Sequence, residues 1–183
     1  PERGAPRGTA PRDGASGRAH RESVIGYSEI RDRVDGLVGV VNGAYGLVGQ
    51  PAINYLHRSQ SIEELVALYL AADVMLVTPV RDGMNLVCKE FIAARTDDTG
   101  VLVLSEFTGA AEALGSALLI NPYDTDGLKN AIDRAVHLPE ADVRRRMELL
   151  RESVMTNDVY AWAHSWMVAL GIESEHDDAG APS

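Results

Sequence analysis

The sequence predicts an α/β protein built on a parallel sheet, and two observations support this. Short apolar runs at 74–77, 101–104 and 118–120 alternate with segments whose apolar residues recur at helical spacing. Turn residues follow the runs, such as Asp82-Gly83 after the first and Asn121-Pro122 after the third. This alternation is typical of parallel strands joined by right-handed helical crossovers.

The first third of the chain is predicted to contain a leader, a helix and one further strand. Residues 1–20 are rich in Pro, Gly, Ala and Arg, which indicates a disordered leader. From Val24 the apolar residues recur at helical spacing until Asn42-Gly43, which is expected to end that helix. The apolar run at 52–56 is predicted to form a strand.

The remaining elements follow from caps, apolar runs and turn residues. Ser61 and Glu64 have the spacing of a capping box, which predicts a helix continuing to Ala72. A polar, acidic tail is expected after the last helix. In order after the 74–77 strand, we predict a helix from the Asp82–Glu90 junction to about Arg95, a turn at 97–100, a strand at 101–104, a short helix at 110–114, a strand at 118–120, a helix capped by Thr125, a helix opened by Pro139, a helix at 158–170 and the tail at 172–183.

Length and composition suit one domain with tails. The 183 residues carry 45% hydrophobic residues, enough for a packed core, and a net charge of −10, which argues against general nucleic-acid binding. Cys88 is the single cysteine, so an internal disulfide is excluded and a cytoplasmic location is expected. No apolar run approaches the roughly 20 residues that span a membrane. Because the chain begins with Pro1, a fragment or processed product is expected.

The stretch 81–90 combines a strand end, a glycine turn and a helix start, which is where α/β proteins bind ligands. Gly83 permits close approach of the backbone, and the first amides of the helix, at Leu86 and Val87, favour phosphate. Asp82 and Glu90 could accept hydrogen bonds from sugar hydroxyls. The pattern equally allows a tight turn with a capped helix and two solvated carboxylates.

The same stretch, read as Asp-Gly-Met-Asn-Leu-Val-Cys-Lys-Glu-Phe at 82–91, resembles the donor-binding segment of trehalose-6-phosphate synthases. That family has two Rossmann-like domains, the GT-B architecture, and transfers glucose from UDP-glucose to glucose 6-phosphate. The likeness runs from about Arg21 to about Leu170. It includes Val-Asn-Gly-Ala-Tyr-Gly (41–46), Tyr-Leu-His (55–57), Ala-Asp-Val-Met-Leu-Val-Thr-Pro (72–79), Leu-Ser-Glu-Phe-Thr-Gly-Ala (104–110) and Asn-Pro-Tyr-Asp (121–124).

The resemblance implies roles for individual residues. Asp82, the candidate catalytic residue, matches the acid that holds a hydroxyl of the donor glucose, and Glu90 matches the acid that holds the ribose hydroxyls. Gln60 stands where the family usually has an aromatic residue whose backbone contacts uracil, and Arg21 matches an arginine that grips the phosphate of glucose 6-phosphate. The residues implied to contact the donor through their backbones are Gly83, Met84 and Asn85 at the sugar and Leu86, Val87, Cys88 and Lys89 at the diphosphate.

The resemblance also implies transfer with retention, with no metal and no cofactor, and with UDP-glucose and glucose 6-phosphate as the partners. Nucleic acid and membrane are not expected partners, and formation of a homo-oligomer by a full-length enzyme is left open. The family's Arg-Leu-Asp-Tyr-x-Lys-Gly-like segment, which neutralises the departing diphosphate, has no counterpart in residues 1–20, and the acceptor-side domain is missing. We therefore expect a fragment that is inactive alone. The alternatives are a non-catalytic nucleotide-sugar-binding or synthase-interacting module and, less well matched, another GT-B transferase such as a glycogen-synthase relative.

The resemblance implies two structural expectations, of which the first follows from the family's strand order, 3-2-1-4-5-6. The run at 52–56 would be the third strand and the runs at 74–77, 101–104 and 118–120 the fourth to sixth, so residues 21–171 are expected to form an incomplete C-terminal domain. The helix at 158–170 carries an apolar stripe along one face. In the family the C-terminal helix crosses over and packs on the other domain. Without that domain, Trp162 or Trp166 is expected to be exposed. His57, His137 and Cys88 are interpreted as structural, and for Glu106 turn chemistry and approach to the donor pocket stay open.

Overall fold

The structure, a computed structural model, describes residues 25–156 and 167–168. The predicted leader at 1–20, Arg21, the tail at 172–183 and both tryptophans of the predicted last helix lie outside these residues. The chain divides between Ser59 and Gln60 into two compact units, each of which is described by itself.

The first unit contains helix α1, Ile25–Tyr45, and the loop that follows it. The helix continues through Asn42-Gly43, where its end was predicted, and stops before Gly46, whose amide bonds the Asn42 carbonyl at 2.9 Å. No strand forms at 52–56, so that prediction is wrong. The side chain of Asn42 accepts from the Ile53 amide at 2.7 Å and donates to the Ile53 carbonyl at 3.0 Å, so a side chain occupies the groups that a strand would pair.

The second unit is an α/β layer structure around a parallel sheet. In the described residues the sheet has three strands in the order β1-β2-β3, with Val74 opposite Val101 and Leu104 opposite Leu119. The predicted incomplete parallel sheet is therefore confirmed. In chain order the elements are α2 (Ile62–Ala71), β1 (Val74–Val77), α3 (Leu86–Ala94), β2 (Val101–Ser105), a 3₁₀ turn (Gly109–Ala111), β3 (Leu118–Ile120), α4 (Thr125–Val136) and α5 (Glu140–Thr156).

The central strand β2 is buried on both faces because helices cover both sides of the sheet. Leu102 and Leu104 belong to a core with residues of α2, α3 and α5, including Phe91. Val101 and Val103 belong to a second core with residues of α4 and β3. All five residues of β2 are buried, as the continuous apolar run predicts for a strand inside a parallel sheet.

Two helix starts show how closely local sequence rules are followed. Ser61 and Glu64 form the predicted capping box, with Ser61 Oγ accepting from the Glu64 amide at 3.2 Å and Glu64 Oε2 accepting from the Ser61 amide at 2.9 Å. Helix α4 is capped by Asp124 and not by Thr125, because the Asp124 carboxylate reaches the Gly127 amide at 2.9 Å. The short helix predicted at 110–114 is the 3₁₀ turn Gly109–Ala111.

Candidate functional site

The candidate site lies at the carboxyl end of the sheet, where the loop after β1 meets the loop after β2. The Asp82 amide donates to the Phe107 carbonyl at 3.3 Å, and the Gly109 amide donates to the Asp82 carbonyl at 3.3 Å. Asp82 and Thr108 thereby form a single parallel bridge beyond the ends of the two strands. The backbone of Asp82 is held by the neighbouring loop, although Asp82 belongs to no regular element.

Gly109 makes this approach of the two loops sterically feasible. A Cβ placed on Gly109 would collide with the carbonyl oxygen of Gly83. The glycine is therefore required by close backbone packing beside the site. Gly83 itself has open space around its Cα, so its lack of a side chain leaves room next to Asp82.

Asn85 joins the Asp82 loop to helix α3. Its backbone is left-handed, with a φ of 54°, and its side-chain oxygen accepts from the Cys88 amide at 3.0 Å, so it is the N-cap of the helix. Its side-chain nitrogen donates to Asp82 Oδ2 at 2.6 Å. One side chain thus orients the candidate catalytic carboxylate and caps the helix beside it.

The N-terminus of α3 presents backbone amides to the candidate site. The amides of Leu86 and Val87 precede the first intrahelical hydrogen bond, and no described residue accepts from them. The side chains of Met84, Leu86 and Val87 are exposed. An unpaired helix N-terminus carries partial positive charge, so this arrangement suits an anion such as a diphosphate.

Cys88 and Lys89 occupy the first turn of α3 in different ways. Cys88 is fully buried, and its thiol donates to the Asn85 carbonyl with a sulfur–oxygen distance of 3.0 Å. Burial raises the pKa of the Cys88 thiol, which keeps it protonated, as expected for a packing residue. Lys89 is half-buried, and its positive charge acts on the thiol in the opposite direction.

Glu90 lies on the second turn of α3 and is held by a tyrosine from α2. The Tyr69 hydroxyl donates to Glu90 Oε2 at 3.0 Å. Burial, together with this hydrogen bond and the charge of Glu90, raises the pKa of Tyr69 to about 12. The tyrosine is therefore a neutral donor across the physiological pH range, and Glu90 is exposed beside it.

Helices α2 and α3 are joined at their C-terminal ends by Arg95. Arg95, at the end of α3, donates to the carbonyls of Leu70 at 2.7 Å and Ala72 at 3.2 Å, at the end of α2. The two helices therefore end together, and the Tyr69–Glu90 contact lies earlier on both. Gln60 precedes Ser61, the N-cap of α2, and so lies at the other end of that helix from the Arg95 contacts.

The structure thus groups the predicted donor-binding residues of the segment 82–90, and it adds two residues and one new role that the sequence did not reveal. The added residues are Tyr69, which hydrogen-bonds Glu90, and Gly109, whose lack of a side chain leaves space for the Gly83 carbonyl. The new role is that of Asn85, the helix cap that also hydrogen-bonds Asp82. The Asp-x-x-Asn spacing just before a helix was an available signal for the last of these. Tyr69 fits an apolar stripe, so nothing in the sequence separated it from an ordinary core residue.

Two further features are absent from the described residues. Between residues 25 and 156 and at 167–168, no cluster of three or more His, Cys, Asp or Glu side chains could hold a metal ion. In the same residues, no helix has both the length and the apolar character needed to cross a membrane.

Comparison with known proteins shows the family of the chain. The family described as glycosyltransferase family 20 matches residues 16–171. Trehalose-6-phosphate synthase of Mycolicibacterium smegmatis is 50% identical to this chain over 160 residues, which is 87% of this chain and 32% of the relative. The chain therefore spans about a third of the length of the curated relatives that it matches.

Solved structures give the same result. A structure from E. coli bound with UDP-2-fluoro glucose has a TM-score of 0.77 and 40% identity, and the match covers 82% of this chain and 34% of that chain. An α,α-trehalose-phosphate synthase (UDP-forming) from Burkholderia xenovorans in complex with glucose-6-phosphate has a TM-score of 0.77 and 38% identity, covering 82% of this chain and 33% of that one.

Proposed function

Because the chain belongs to glycosyltransferase family 20, we propose that it is the donor-binding part of a trehalose-6-phosphate synthase. The activity is transfer of glucose from UDP-glucose to glucose 6-phosphate in trehalose biosynthesis. The observation that carries the proposal is the unpaired N-terminus of α3, which stands between a positioned Asp82 and a positioned Glu90. Relatives solved with UDP-2-fluoro glucose and with glucose-6-phosphate support both substrates.

The donor would lie across the start of α3 with its charged centre at the helix N-terminus. The diphosphate lies along the segment Leu86 to Lys89 and accepts from the unpaired amides of Leu86 and Val87, where the helix dipole adds a favourable field. The glucose lies toward Asp82, whose carboxylate accepts from a sugar hydroxyl, beside the backbone of Gly83, Met84 and Asn85. The ribose lies toward Glu90, and the uracil lies toward Gln60, whose backbone supplies the contact.

The proposed reaction breaks the bond between the anomeric carbon of glucose and the β-phosphate oxygen of UDP. A new bond forms from the same carbon, on the same face, to a hydroxyl oxygen of glucose 6-phosphate. The hydroxyl proton passes to the departing phosphate oxygen, and UDP leaves. Asp82 acts by holding the transferred glucose, while the amides at the start of α3 stabilise negative charge that develops on the diphosphate.

The 183-residue chain alone is proposed to bind the donor without transferring it. The positive side chains that would neutralise the leaving diphosphate lie, in the family, in an Arg-Leu-Asp-Tyr-x-Lys-Gly-like segment that this sequence does not contain. Losing charge stabilisation of a leaving group costs on the order of several kcal/mol of barrier. Arg21, proposed for the acceptor phosphate, would contribute only to the acceptor side.

The domain that performs this role is proposed to extend over residues 21–171, close to the matched range of 16–171. The single cysteine suits a reducing cytoplasm. A second candidate function is a non-catalytic module that holds a nucleotide sugar or a synthase subunit. That candidate needs only the donor-side residues at the start of α3, which the described residues contain.

Calorimetric titration of the 183-residue chain with UDP and UDP-glucose tests the donor site, and an assay for trehalose 6-phosphate tests transfer. We expect weak binding of both nucleotides and no product from the chain alone. ADP and inorganic phosphate serve as controls for selectivity. Absence of UDP binding would overturn the donor-site assignment, and formation of trehalose 6-phosphate would show that the chain is catalytically sufficient.

A further inference from the structure

The carboxylate of Glu90 is held by a residue that the family's sequence motif around Asp82–Glu90 does not include. Tyr69 stands 21 positions earlier, and its hydroxyl donates to Glu90 Oε2 at 3.0 Å. The ring is 7% exposed, whereas Glu90 is exposed. The tyrosine therefore connects the core of the second unit to a carboxylate on its surface.

Tyr69 is itself fixed from two directions. Its ring stands edge-on to the Phe91 ring, with centroids 6.2 Å apart and an interplanar angle of 81°. Its carbonyl accepts from Arg95 Nη1 at 2.9 Å, and Arg95 is buried. Because both the ring and the backbone are held, the hydroxyl is a fixed donor and not a mobile one.

Glu90 can serve two partners through its two oxygens. An ionised carboxylate only accepts hydrogen bonds and has about four lone-pair positions. Tyr69 occupies one position on Oε2, and no described residue donates to Oε1. A pair of neighbouring hydroxyls, such as the 2′- and 3′-hydroxyls of ribose, fits the acceptor positions that remain.

We propose that Tyr69 is a positioning residue for nucleotide-sugar binding, which holds Glu90 in the orientation in which it accepts the ribose hydroxyls. The inference rests on the proposed function, because it needs a nucleotide at the start of α3. Its physical basis is that an exposed glutamate samples several rotamers, and ordering it on binding weakens affinity. Because the Tyr69 hydroxyl already holds Glu90 in one orientation, less side-chain entropy is lost when the ligand binds.

The direct test is Tyr69→Phe, which removes the hydroxyl and keeps the ring that packs on Phe91. For the 183-residue chain, we expect the Kd for UDP to rise about 2- to 10-fold, which is the cost of ordering one rotamer-rich side chain on binding. Tyr45→Phe is the matched control, because Tyr45 is 78% exposed and lies in the first unit. An unchanged Kd in Tyr69→Phe would overturn the proposal.

A double-mutant cycle separates positioning from general destabilisation. If Tyr69 acts through Glu90, then adding Tyr69→Phe to Glu90→Ala should not weaken UDP binding further. A merely structural role would weaken UDP binding equally in both backgrounds and would overturn the proposal. A diphosphate of 2′,3′-dideoxyuridine is the second probe: Tyr69→Phe should leave its Kd unchanged, because it has no ribose hydroxyls for Glu90 to accept.

A measurement without nucleotide tests the positioning role of Tyr69 separately from the proposed nucleotide binding. Side-chain NMR couplings of Glu90 should show one dominant rotamer in the wild-type chain and averaged rotamers in Tyr69→Phe. Equal averaging in both would overturn the positioning role even if UDP binds. If the wild-type chain fails to bind UDP, the proposed function fails and the ribose role fails with it, whatever the NMR couplings show.

Discussion

Asn85 donates a hydrogen bond of 2.6 Å to Asp82 Oδ2 while its own side-chain oxygen accepts from the Cys88 amide at 3.0 Å. The residue that begins helix α3 therefore also sets the direction of the candidate catalytic carboxylate. Its φ of 54° is a conformation that asparagine adopts more readily than most residues. The start of α3 and the orientation of the Asp82 carboxylate therefore both depend on the Asn85 side chain.

Replacing Asn85 should harm both stability and donor binding. Asn85→Ala removes the cap and the Asp82 contact, and we expect a loss of about 1–2 kcal/mol in the free energy of unfolding. Binding of UDP-glucose should weaken more than binding of UDP, because Asp82 is proposed to hold the glucose. Asn130→Ala, an exposed position in α4, is the control. Denaturant unfolding and calorimetry measure the two effects, and an equal loss for both nucleotides would contradict the link to Asp82.

The sheet was predictable because its strands are continuous apolar runs. The residues 101–104 could hardly be anything other than a buried strand between turn residues, and all of them are buried. The run at 52–56, Ala-Ile-Asn-Tyr-Leu, was also predicted to be a strand. It forms none, because the Asn42 side chain hydrogen-bonds both backbone groups of Ile53. Composition does not show whether the backbone groups of a segment will pair with another strand or with a nearby side chain.

The candidate site was predictable in position and only partly in detail. Asp82, Gly83 and Glu90 stand out because a glycine turn and acidic residues surround a helix start. Tyr69 does not stand out, because its spacing matches the apolar face of α2 and its partner lies 21 positions away. The collision that would follow a Cβ on Gly109 depends on how two loops meet beyond the sheet, which local sequence does not determine.

Gly109→Ala should separate the two loops that form the site. The new methyl group would collide with the Gly83 carbonyl oxygen, so the backbone of one loop must move. We expect a destabilisation of about 1–3 kcal/mol, as for an overpacked position, together with weaker UDP-glucose binding. Gly115→Ala is the control, because a Cβ there meets no atom within 4 Å. Equal unfolding free energies for the two variants would show that the loops are not closely held.

Glu90→Ala should weaken nucleotide binding, whereas His57→Ala should not. A hydrogen bond to a charged acceptor is worth roughly 1.5–3 kcal/mol, which corresponds to at least about a tenfold rise in the Kd for UDP. His57 is exposed and its ring nitrogen contacts Arg31 in the first unit, away from α3 in sequence. Calorimetric titration compares the variants, and equal effects from both changes would remove the ribose role of Glu90.

The Tyr69–Glu90 pair should make stability depend on pH in the alkaline range. The pKa of Tyr69 is raised from 10.0 to about 12, first by burial and then by the hydrogen bond and charge of Glu90. Between these pKa values the native state keeps a proton that the unfolded state has lost. The contribution of the protonated Tyr69 hydroxyl to the free energy of unfolding is therefore fully present below pH 10, and it is lost as the pH rises toward 12.

This dependence can be measured by comparing wild type with Tyr69→Phe, which has no ionisable group at that position. The free energy of unfolding of the wild type should fall more than that of Tyr69→Phe between pH 9.5 and 11.5, by up to about 2 kcal/mol. Tyr123→Phe provides the control, because Tyr123 is exposed and takes no part in the Tyr69–Glu90 contact. Denaturant unfolding at several pH values gives the free energies. Parallel pH profiles for wild type and Tyr69→Phe would show that the tyrosine ionises as freely in the native state as in the unfolded chain, and that Glu90 does not hold its proton.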